Sequence, residues 1–203
     1  MKLTAQRPAR HHQGFTLIEM LVVIGIIAIL ASMAMPVYNT VMRKAYETQA
    51  RAMMNGLTTA ISGYQTEYNH YPNPNSSTTG NTKMDTSQDS GLIVCLMGTN
   101  TSTTSGNPNP RAIQFYNPPI AKSGHNGYDS TTGNLYDPWG EPMWVLMDLT
   151  GAGFLANPYY GSPSYPMETQ QNLGQGCIVW DWGADKIDGT NGGQSTDDLR
   201  SWH

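Results

Sequence analysis

The chain has 203 residues, a formal net charge of −4 and a charged fraction of only 13%. Three of its eleven basic residues stand in the first fourteen positions, so the remainder carries 8 basic against 15 acidic residues, a formal charge of −7. No basic run follows Arg51, which argues against nucleic acid as a partner, because phosphate backbones are bound through clusters of Lys and Arg.

The first fourteen residues, MKLTAQRPARHHQG, contain Lys2, Arg7 and Arg10 and no acid. Such a basic segment stays on the cytoplasmic side of a membrane by the positive-inside rule. Residues 15–35 then form an apolar run of 21 residues in which Glu19 is the one ionisable side chain. That length suits a helix that crosses a hydrocarbon core of about 30 Å. We therefore predict one membrane-spanning helix over residues 15–35.

Glu19 is the costly residue of this run. A carboxylate at membrane depth costs on the order of 2.5 to 3.5 kcal/mol on insertion scales, so its presence calls for a partner. The simpler alternative is a single acid near a helix end that snorkels to the headgroups. The conspicuous small residue, Gly14, stands before the apolar core, whereas a secretory signal peptide is cleaved after its core.

A basic leader, Gly14 followed by FTLIE, about twenty apolar residues and then Pro36 together resemble the type III signal of type IV pilins and type II secretion pseudopilins. The resemblance implies that a prepilin peptidase removes residues 1–14 by cleavage between Gly14 and Phe15, and that the new amino terminus of Phe15 is N-methylated. It also implies that this terminal ammonium pairs with Glu19 of a neighbouring subunit. Glu19 would then set the register of helices in a filament, since buried ion pairs specify an arrangement better than they stabilise it.

Beyond the apolar run the pattern becomes amphipathic. Apolar side chains recur at steps of mostly three or four, at Val37, Val41, Ala45, Met53, Leu57, Ile61, Tyr64 and Tyr68. This period predicts that the same helix continues to about Tyr68, with residues 36–72 as its amphipathic half. The sequence HYPNPN at residues 70–75 ends it with two prolines.

Residues 73–134 are mostly low-complexity polar runs, which we interpret as a long surface insertion in a head of residues 73–203. One apolar strip, GLIVCLM at residues 91–97, is expected to be a short helix or a buried strand. Cys95 and Cys177 are the two cysteines. In an exported domain they could pair as a disulfide that closes a long loop, or remain two separate buried thiols, and the sequence leaves both open.

Two strands are predicted in the carboxyl-terminal part. LYDPWGEPMWVLMD at residues 135–148 indicates a turn, DPWGEP, that leads into a strand, and CIVWDW at residues 177–182 indicates a second one after a polar loop at residues 157–175. We expect these strands to be neighbours in one small antiparallel sheet packed on the amphipathic half of the long helix. The predicted fold class is therefore α+β, as in type IV pilins.

The end of the chain is rich in aspartate. Five carboxylates stand between Trp180 and Leu199, at Asp181, Asp185, Asp188, Asp197 and Asp198. Carboxylates this close repel one another unless a cation intervenes, and an oxygen-rich, glycine-containing loop suits calcium. The spacing is not that of an EF-hand loop. The alternative is a solvated acidic tail.

The order of residues in DWGADKIDGTNGGQSTDDLRSW resembles the calcium loop of the major, G-type pseudopilin, and DPWGEP resembles a second segment of that family. The resemblance implies a calcium loop over residues 181–202, called the C-terminal loop below. It implies Asp185 and Asp198 as acidic ligands, Asp197 beside them, and the backbone carbonyl of Trp182 as a further donor. Asp188 has no clear counterpart and is an additional candidate. The stretch between Asp185 and Asp198 is about two residues longer than in that family, and the insertion is also longer.

The resemblance implies a structural subunit of a type II secretion pseudopilus that polymerises through its amino-terminal helix to drive protein export across the outer membrane. Its partners would be other copies of itself, minor pseudopilins, the prepilin peptidase and methyltransferase, and an inner-membrane assembly platform. It would be a single-pass inner-membrane protein with a cytoplasmic amino terminus and a periplasmic head, and would enter a periplasmic filament on assembly.

Two alternatives remain. One is a type IV pilus subunit for adhesion, motility or DNA uptake. The other is a membrane-anchored periplasmic carbohydrate-binding or hydrolytic domain, in which the indoles of Trp139, Trp144, Trp180 and Trp182 would line a groove. No Ser/His/Asp, Cys/His or zinc-binding arrangement has usable spacing, so we expect no enzyme activity.

Overall fold

The computed structural model describes residues 15–74, 80–81, 83–87, 91–99, 109–191, 195 and 197–202. The chain divides into two compact units, Met1–Arg43 and Lys44–His203. In the described residues the elements are, in order, α1 (Leu17–Tyr68), β1 (Met84–Asp85), α2 (Leu92–Met97), β2 (Gly127–Tyr128), β3 (Leu135–Tyr136), β4 (Trp144–Met147), β5 (Leu155–Ala156), β6 (Asn172–Leu173), β7 (Cys177–Asp181), a 3₁₀ turn (Gly189–Asn191) and β8 (Leu199–Arg200).

In the first unit the described residues from 17 to 43 are all helical and belong to α1. By length and composition α1 could cross a membrane, and none of its most apolar 18-residue window is buried within the chain. Leu17, Ile24 and Leu30 are each exposed by more than 60%. This apolar surface has no partner within the chain among the described residues.

In the second unit α1 is amphipathic, as its period predicts. Its buried side chains are Ala50, Met53, Met54, Leu57, Ala60, Ile61 and Tyr64. They form one cluster with Val145 of β4 and Val179 of β7. The helix ends at Tyr68, and Asn69 adopts a left-handed φ of 57° while its N–H donates to the Gln65 carbonyl, a common way to terminate a helix.

The main sheet is antiparallel, with strand order β1-β4-β7-β8. The two predicted strands are neighbours, with Val145 opposite Val179 and Met147 opposite Cys177. These side chains belong to the α1 cluster, whereas Leu146, Ile178 and Trp180 pack in a second cluster with Leu155, Tyr159 and Leu173. Because β4 and β7 are covered on both faces, residues 144–147 and 177–180 are continuously apolar and do not alternate with polar residues.

The insertion departs from the prediction in several places, although much of it lies outside the described residues. Of the two alternatives for residues 91–97, a short helix or a buried strand, the helix is confirmed: α2 occupies Leu92–Met97. The interpretation of the rest as surface is wrong at β1, which forms an edge of the main sheet, and at the buried Asn109. Asn109 accepts from Tyr68 Oη at 2.7 Å and donates to the Cys95 carbonyl at 2.8 Å, so this polar residue ties the insertion to both helices.

The disulfide is not formed in the structure: Cys95 and Cys177 are both free and buried. Cys95 lies on α2 and hydrogen-bonds with Tyr64, while Cys177 begins β7. Burial raises the pKa of each thiol to about 12. The alternative of two separate buried thiols describes the structure, and such thiols are poor nucleophiles because the thiolate is scarce.

Candidate functional site

The amino terminus of α1 is held by a reciprocal set of hydrogen bonds between Thr16 and Glu19. Thr16 donates from its N–H and its Oγ1 to Glu19 Oε2 at 2.7 and 2.8 Å, and the Glu19 N–H donates to Thr16 Oγ1 at 3.3 Å. This arrangement is a capping box, and the sequence T-x-x-E at residues 16–19 is its usual signature. Glu19 therefore has a hydrogen-bonding partner, Thr16, within its own chain. Gly14, half of the expected cleavage site, lies outside the described residues, and Phe15 is exposed.

The acidic residues of the C-terminal loop are brought together by the pairing of β7 with β8. This pairing sets Trp180 opposite Arg200 and Asp181 opposite Leu199, so the residues just before β8 return beside those just after β7. Gly183 makes the approach close: its φ is +74°, and a Cβ there would lie 2.4 Å from the Asp197 carbonyl oxygen. Only glycine fits this position without displacing the backbone.

Asp185, Asp197 and Asp198 form a cluster in which one carboxylate oxygen of each lies within 4.8 Å of the others. Oxygens bound to one calcium at about 2.4 Å can be at most about 4.8 Å apart, and the three pairwise separations stay within this limit. The Ser195 hydroxyl lies 3.4 Å from Asp185 Oδ1 and also hydrogen-bonds to Asp198 Oδ1. The donor set is thus all oxygen, which suits calcium.

The other expected ligands are placed differently. Asp188 lies outside the cluster: its Oδ1 accepts from the N–H and hydroxyl of Thr190, and its Oδ2 lies 3.7 Å from Lys83 Nζ. Asp188 is therefore not brought to the three-aspartate site, because its carboxylate caps the 3₁₀ turn. Trp182 directly follows β7, with its ring centroid 5.5 Å from that of Trp144. The role of its backbone carbonyl stays a prediction.

Asp198 is the most enclosed member of the cluster, with 7% of its surface exposed. Its Oδ2 accepts from Tyr159 Oη at 2.7 Å and from the Gly189 N–H at 3.1 Å, and its own N–H donates to Tyr165 Oη at 2.8 Å. Burial raises the pKa of this carboxyl, although the hydrogen bonds oppose the shift. No local sequence pattern indicates the two tyrosines, which precede Asp198 by 39 and 33 residues.

A second pair of acids, Asp137 and Asp181, is fully buried, and Asp181 is the first residue of the C-terminal loop. Asp137 Oδ1 accepts from the N–H groups of Trp139 and Glu141, both at 2.8 Å, and so shapes the DPWGEP turn. Asp181 Oδ1 accepts from the Gly183 N–H at 2.8 Å. The second oxygens, Asp137 Oδ2 and Asp181 Oδ2, are buried and have no hydrogen-bond donor among the described residues. Burial raises the pKa of both carboxyls, that of Asp181 further because of the Asp137 charge. We therefore expect the pair to share one proton.

The four tryptophans do not line one groove, so that part of the carbohydrate-binding alternative is wrong. Trp180 is fully buried, and it packs with Trp144 in the cluster on one face of the sheet. Trp139 packs against the α1 cluster on the other face, 6.4 Å from the ring of Tyr46. The sheet separates these indoles, because β4 and β7 contribute side chains to both of its faces.

Comparison with known proteins adds to this geometry. Residues 9–35 match the family model described as the prokaryotic N-terminal methylation motif. The chain is 35% identical over 65 residues to a fimbrial protein of Neisseria meningitidis, which covers 32% of this chain and 38% of that protein. It is 46% identical over 50 residues to a fimbrial protein of Moraxella nonliquefaciens, covering 25% and 32% of the two chains.

A longer match, to the fimbrial protein EcpC of Eikenella corrodens, is 31% identical over 88 residues and covers 43% of this chain and 58% of that one. The chain thus spans between about a third and three fifths of the length of these curated relatives. No solved structure matches it.

Proposed function

We propose that this chain, a type IV pilin-like protein by its methylation motif and its α+β fold, is the structural subunit of a type IV pilus. The observation that carries the proposal is the uncovered apolar surface of α1, because no residue of its most hydrophobic window is buried within the chain. Such a surface needs lipid before assembly and the helices of other copies afterwards. The relatives named fimbrial proteins support the pilus.

A type II secretion pseudopilus, which the sequence resemblance implies, is the second candidate. The relatives favour the pilus over it. The three-aspartate cluster of the C-terminal loop is the specific observation in its favour, because the loop resembles that of the major pseudopilin. Both candidates are mechanical subunits of filaments, and neither requires a catalytic site.

Assembly would follow the same steps in either case. A prepilin peptidase would cleave after Gly14 and methylate Phe15, and the subunit would wait in the inner membrane with its head in the periplasm. Glu19 would then exchange its bonds to Thr16 for a bond to the terminal ammonium of a neighbouring Phe15. An assembly platform would add subunits one at a time, and minor subunits would complete the fibre.

Calcium binding is a separate part of the proposal. Asp185, Asp197 and Asp198 would hold one ion, with Ser195 and the Trp182 carbonyl as additional oxygen donors. The ion would neutralise the three carboxylates and fasten the C-terminal loop across the end of β7. Support comes from the convergence of three carboxylate oxygens within 4.8 Å and from the all-oxygen donor set.

Deletion of the gene in its own host, followed by complementation, tests the filament and separates the candidates. Wild-type complementation should restore surface filaments in the sheared fraction, whereas Glu19→Ala should leave membrane insertion intact and yield none. Glu47→Ala, a matched change of an acid farther along α1, should assemble normally. Loss of surface filaments with normal export supports the pilus. Exported proteins that accumulate in the periplasm without any loss of surface filaments support the pseudopilus, and an assembling Glu19→Ala variant refutes the assigned role of Glu19.

A further inference from the structure

We propose that Tyr159 is the positioning residue of the calcium site and that calcium binding orders the loop that carries it, residues 157–168, called the tyrosine loop below. This inference rests on the calcium binding proposed above. It goes beyond that proposal because it assigns roles to residues that lie far from the acidic motif in sequence. The juxtaposition that carries it is the direct hydrogen bond from Tyr159 Oη to Asp198 Oδ2, 2.7 Å long.

The two oxygens of Asp198 have different surroundings. Oδ2 is held by protein donors, the Tyr159 hydroxyl and the Gly189 N–H. Oδ1 contacts the Ser195 hydroxyl, which also lies 3.4 Å from Asp185 Oδ1. Oδ1 is therefore the oxygen that faces the other carboxylates. The bond from Tyr159 fixes the rotation of the carboxyl group, so that Oδ1 points into the cluster without further ordering when an ion arrives.

Tyr159 can do this because its own position is fixed. Its side chain is fully buried, and its N–H donates to Asn157 Oδ1 at 3.0 Å. The ring packs edge to face on Tyr165 with centroids 5.1 Å apart, and the Arg200 guanidinium lies 5.3 Å from its centre.

Two further contacts join the tyrosine loop to the C-terminal loop. Ser162 Oγ donates to the Gly189 carbonyl at 2.6 Å, and Tyr165 Oη accepts from the Asp198 N–H at 2.8 Å. Gly189 allows this proximity, since a Cβ there would lie 2.5 Å from Asp198 Oδ2 and 2.8 Å from a Tyr165 ring carbon. An ion that immobilises Asp198 thereby also restrains the tyrosine loop.

The test is calcium titration of the full chain in detergent micelles by calorimetry, with hydrogen exchange measured in parallel. Tyr159→Phe keeps the buried ring and removes the hydroxyl that holds Asp198 Oδ2, so the calcium Kd should rise about 10- to 100-fold, the usual effect of losing an outer-shell partner. Tyr160→Phe is the matched control: this neighbour is 51% exposed, and its Kd should stay within about twofold of wild type. In the wild type, calcium should slow amide exchange across residues 157–168.

The outcomes separate the two proposals. A wild-type chain that binds no calcium refutes the metal site itself. A wild type that binds calcium without any change in exchange of the tyrosine loop overturns the coupling, whatever the variants do. A Tyr159→Phe chain that binds as tightly as wild type overturns the positioning role. If that variant fails to fold, Ser162→Ala serves instead: it should bind calcium nearly as well yet lose much of the protection in the tyrosine loop, and full protection would contradict the proposal.

Discussion

Asp185 is the most exposed member of the three-aspartate cluster. Its Oδ1 accepts from the Ile187 N–H at 2.9 Å and lies near Ser195. Replacing it should therefore affect calcium binding more than folding. Asp188, only three residues away, caps the 3₁₀ turn and lies outside the cluster, which makes it a matched control.

Asp185→Asn should abolish the thermal stabilisation that calcium gives the folded chain. An ion that binds only the folded state contributes RT ln(1 + [L]/Kd), about 2.7 kcal/mol at a hundredfold excess over Kd. At roughly two to four degrees per kcal/mol, the wild-type melting temperature should rise by several degrees in calcium over chelator. Asp188→Asn should retain that rise. Equal shifts for wild type and Asp185→Asn would contradict the site.

The buried pair Asp137 and Asp181 makes stability depend on pH. The pKa of Asp181 is raised in the folded state by burial and by its neighbour, whereas an unfolded aspartate titrates near pH 4. Its contribution is therefore fully present below about pH 4 and is lost as the pH rises through the folded pKa, with a slope of at most about 1.4 kcal/mol per pH unit.

Asp181→Asn removes that titration, and the amide can donate to Asp137 without a proton from solvent. In chelator, the difference in melting temperature between Asp181→Asn and wild type should grow in favour of the variant from pH 4 to pH 7. A difference in melting temperature that is constant with pH would show that the pair does not share a proton. A difference that shrinks from pH 4 to pH 7 would contradict the predicted direction of the pH dependence.

The first turn of α1 contains a carboxylate, that of Glu19, with two roles. The capping box of Thr16 and Glu19 stabilises the helix start, while the filament proposal assigns the same carboxylate to a neighbouring subunit. Thr16→Ala separates these roles, because it removes the cap, worth about 1 kcal/mol, and keeps the carboxylate. This variant should assemble at a yield near wild type. A loss of filaments as complete as in Glu19→Ala would mean that the cap is what assembly requires.

The sequence predicts the positions of the longest elements best. The end of α1 at Tyr68 follows from apolar periodicity sustained over many residues and from the prolines after it. The strands β4 and β7 follow from short, continuous apolar runs next to clear turn formers. The strand β1 has only two residues, Met84 and Asp85, and no alternation can be recognised over so short a stretch. The contacts of Tyr159 and Asn109 depend on partners 39 and 41 residues away, so they follow from the tertiary fold and have no local signal.

For the whole molecule, the central question is what covers the apolar half of α1. The described residues of that half are exposed within the chain, and burying them yields on the order of 25 cal/mol per Å². Lipid and the helices of other copies both meet this need. A filament subunit would need lipid first and the helices of other copies afterwards. Its basic leader would be removed between these two stages, because a charged leader would otherwise hold each helix end at the cytoplasmic face.

The most direct test of this account is the intact mass of the subunit recovered from filaments that are sheared from a host with an active prepilin peptidase. We predict that the filaments of wild type and Glu47→Ala contain a chain that begins at Phe15 and carries one N-terminal methyl group. The sheared fraction of Glu19→Ala should contain no such chain. A subunit that starts after Ala31 or Ser32, a chain that retains residues 1–14 within the filament, or the absence of any filament would contradict the account.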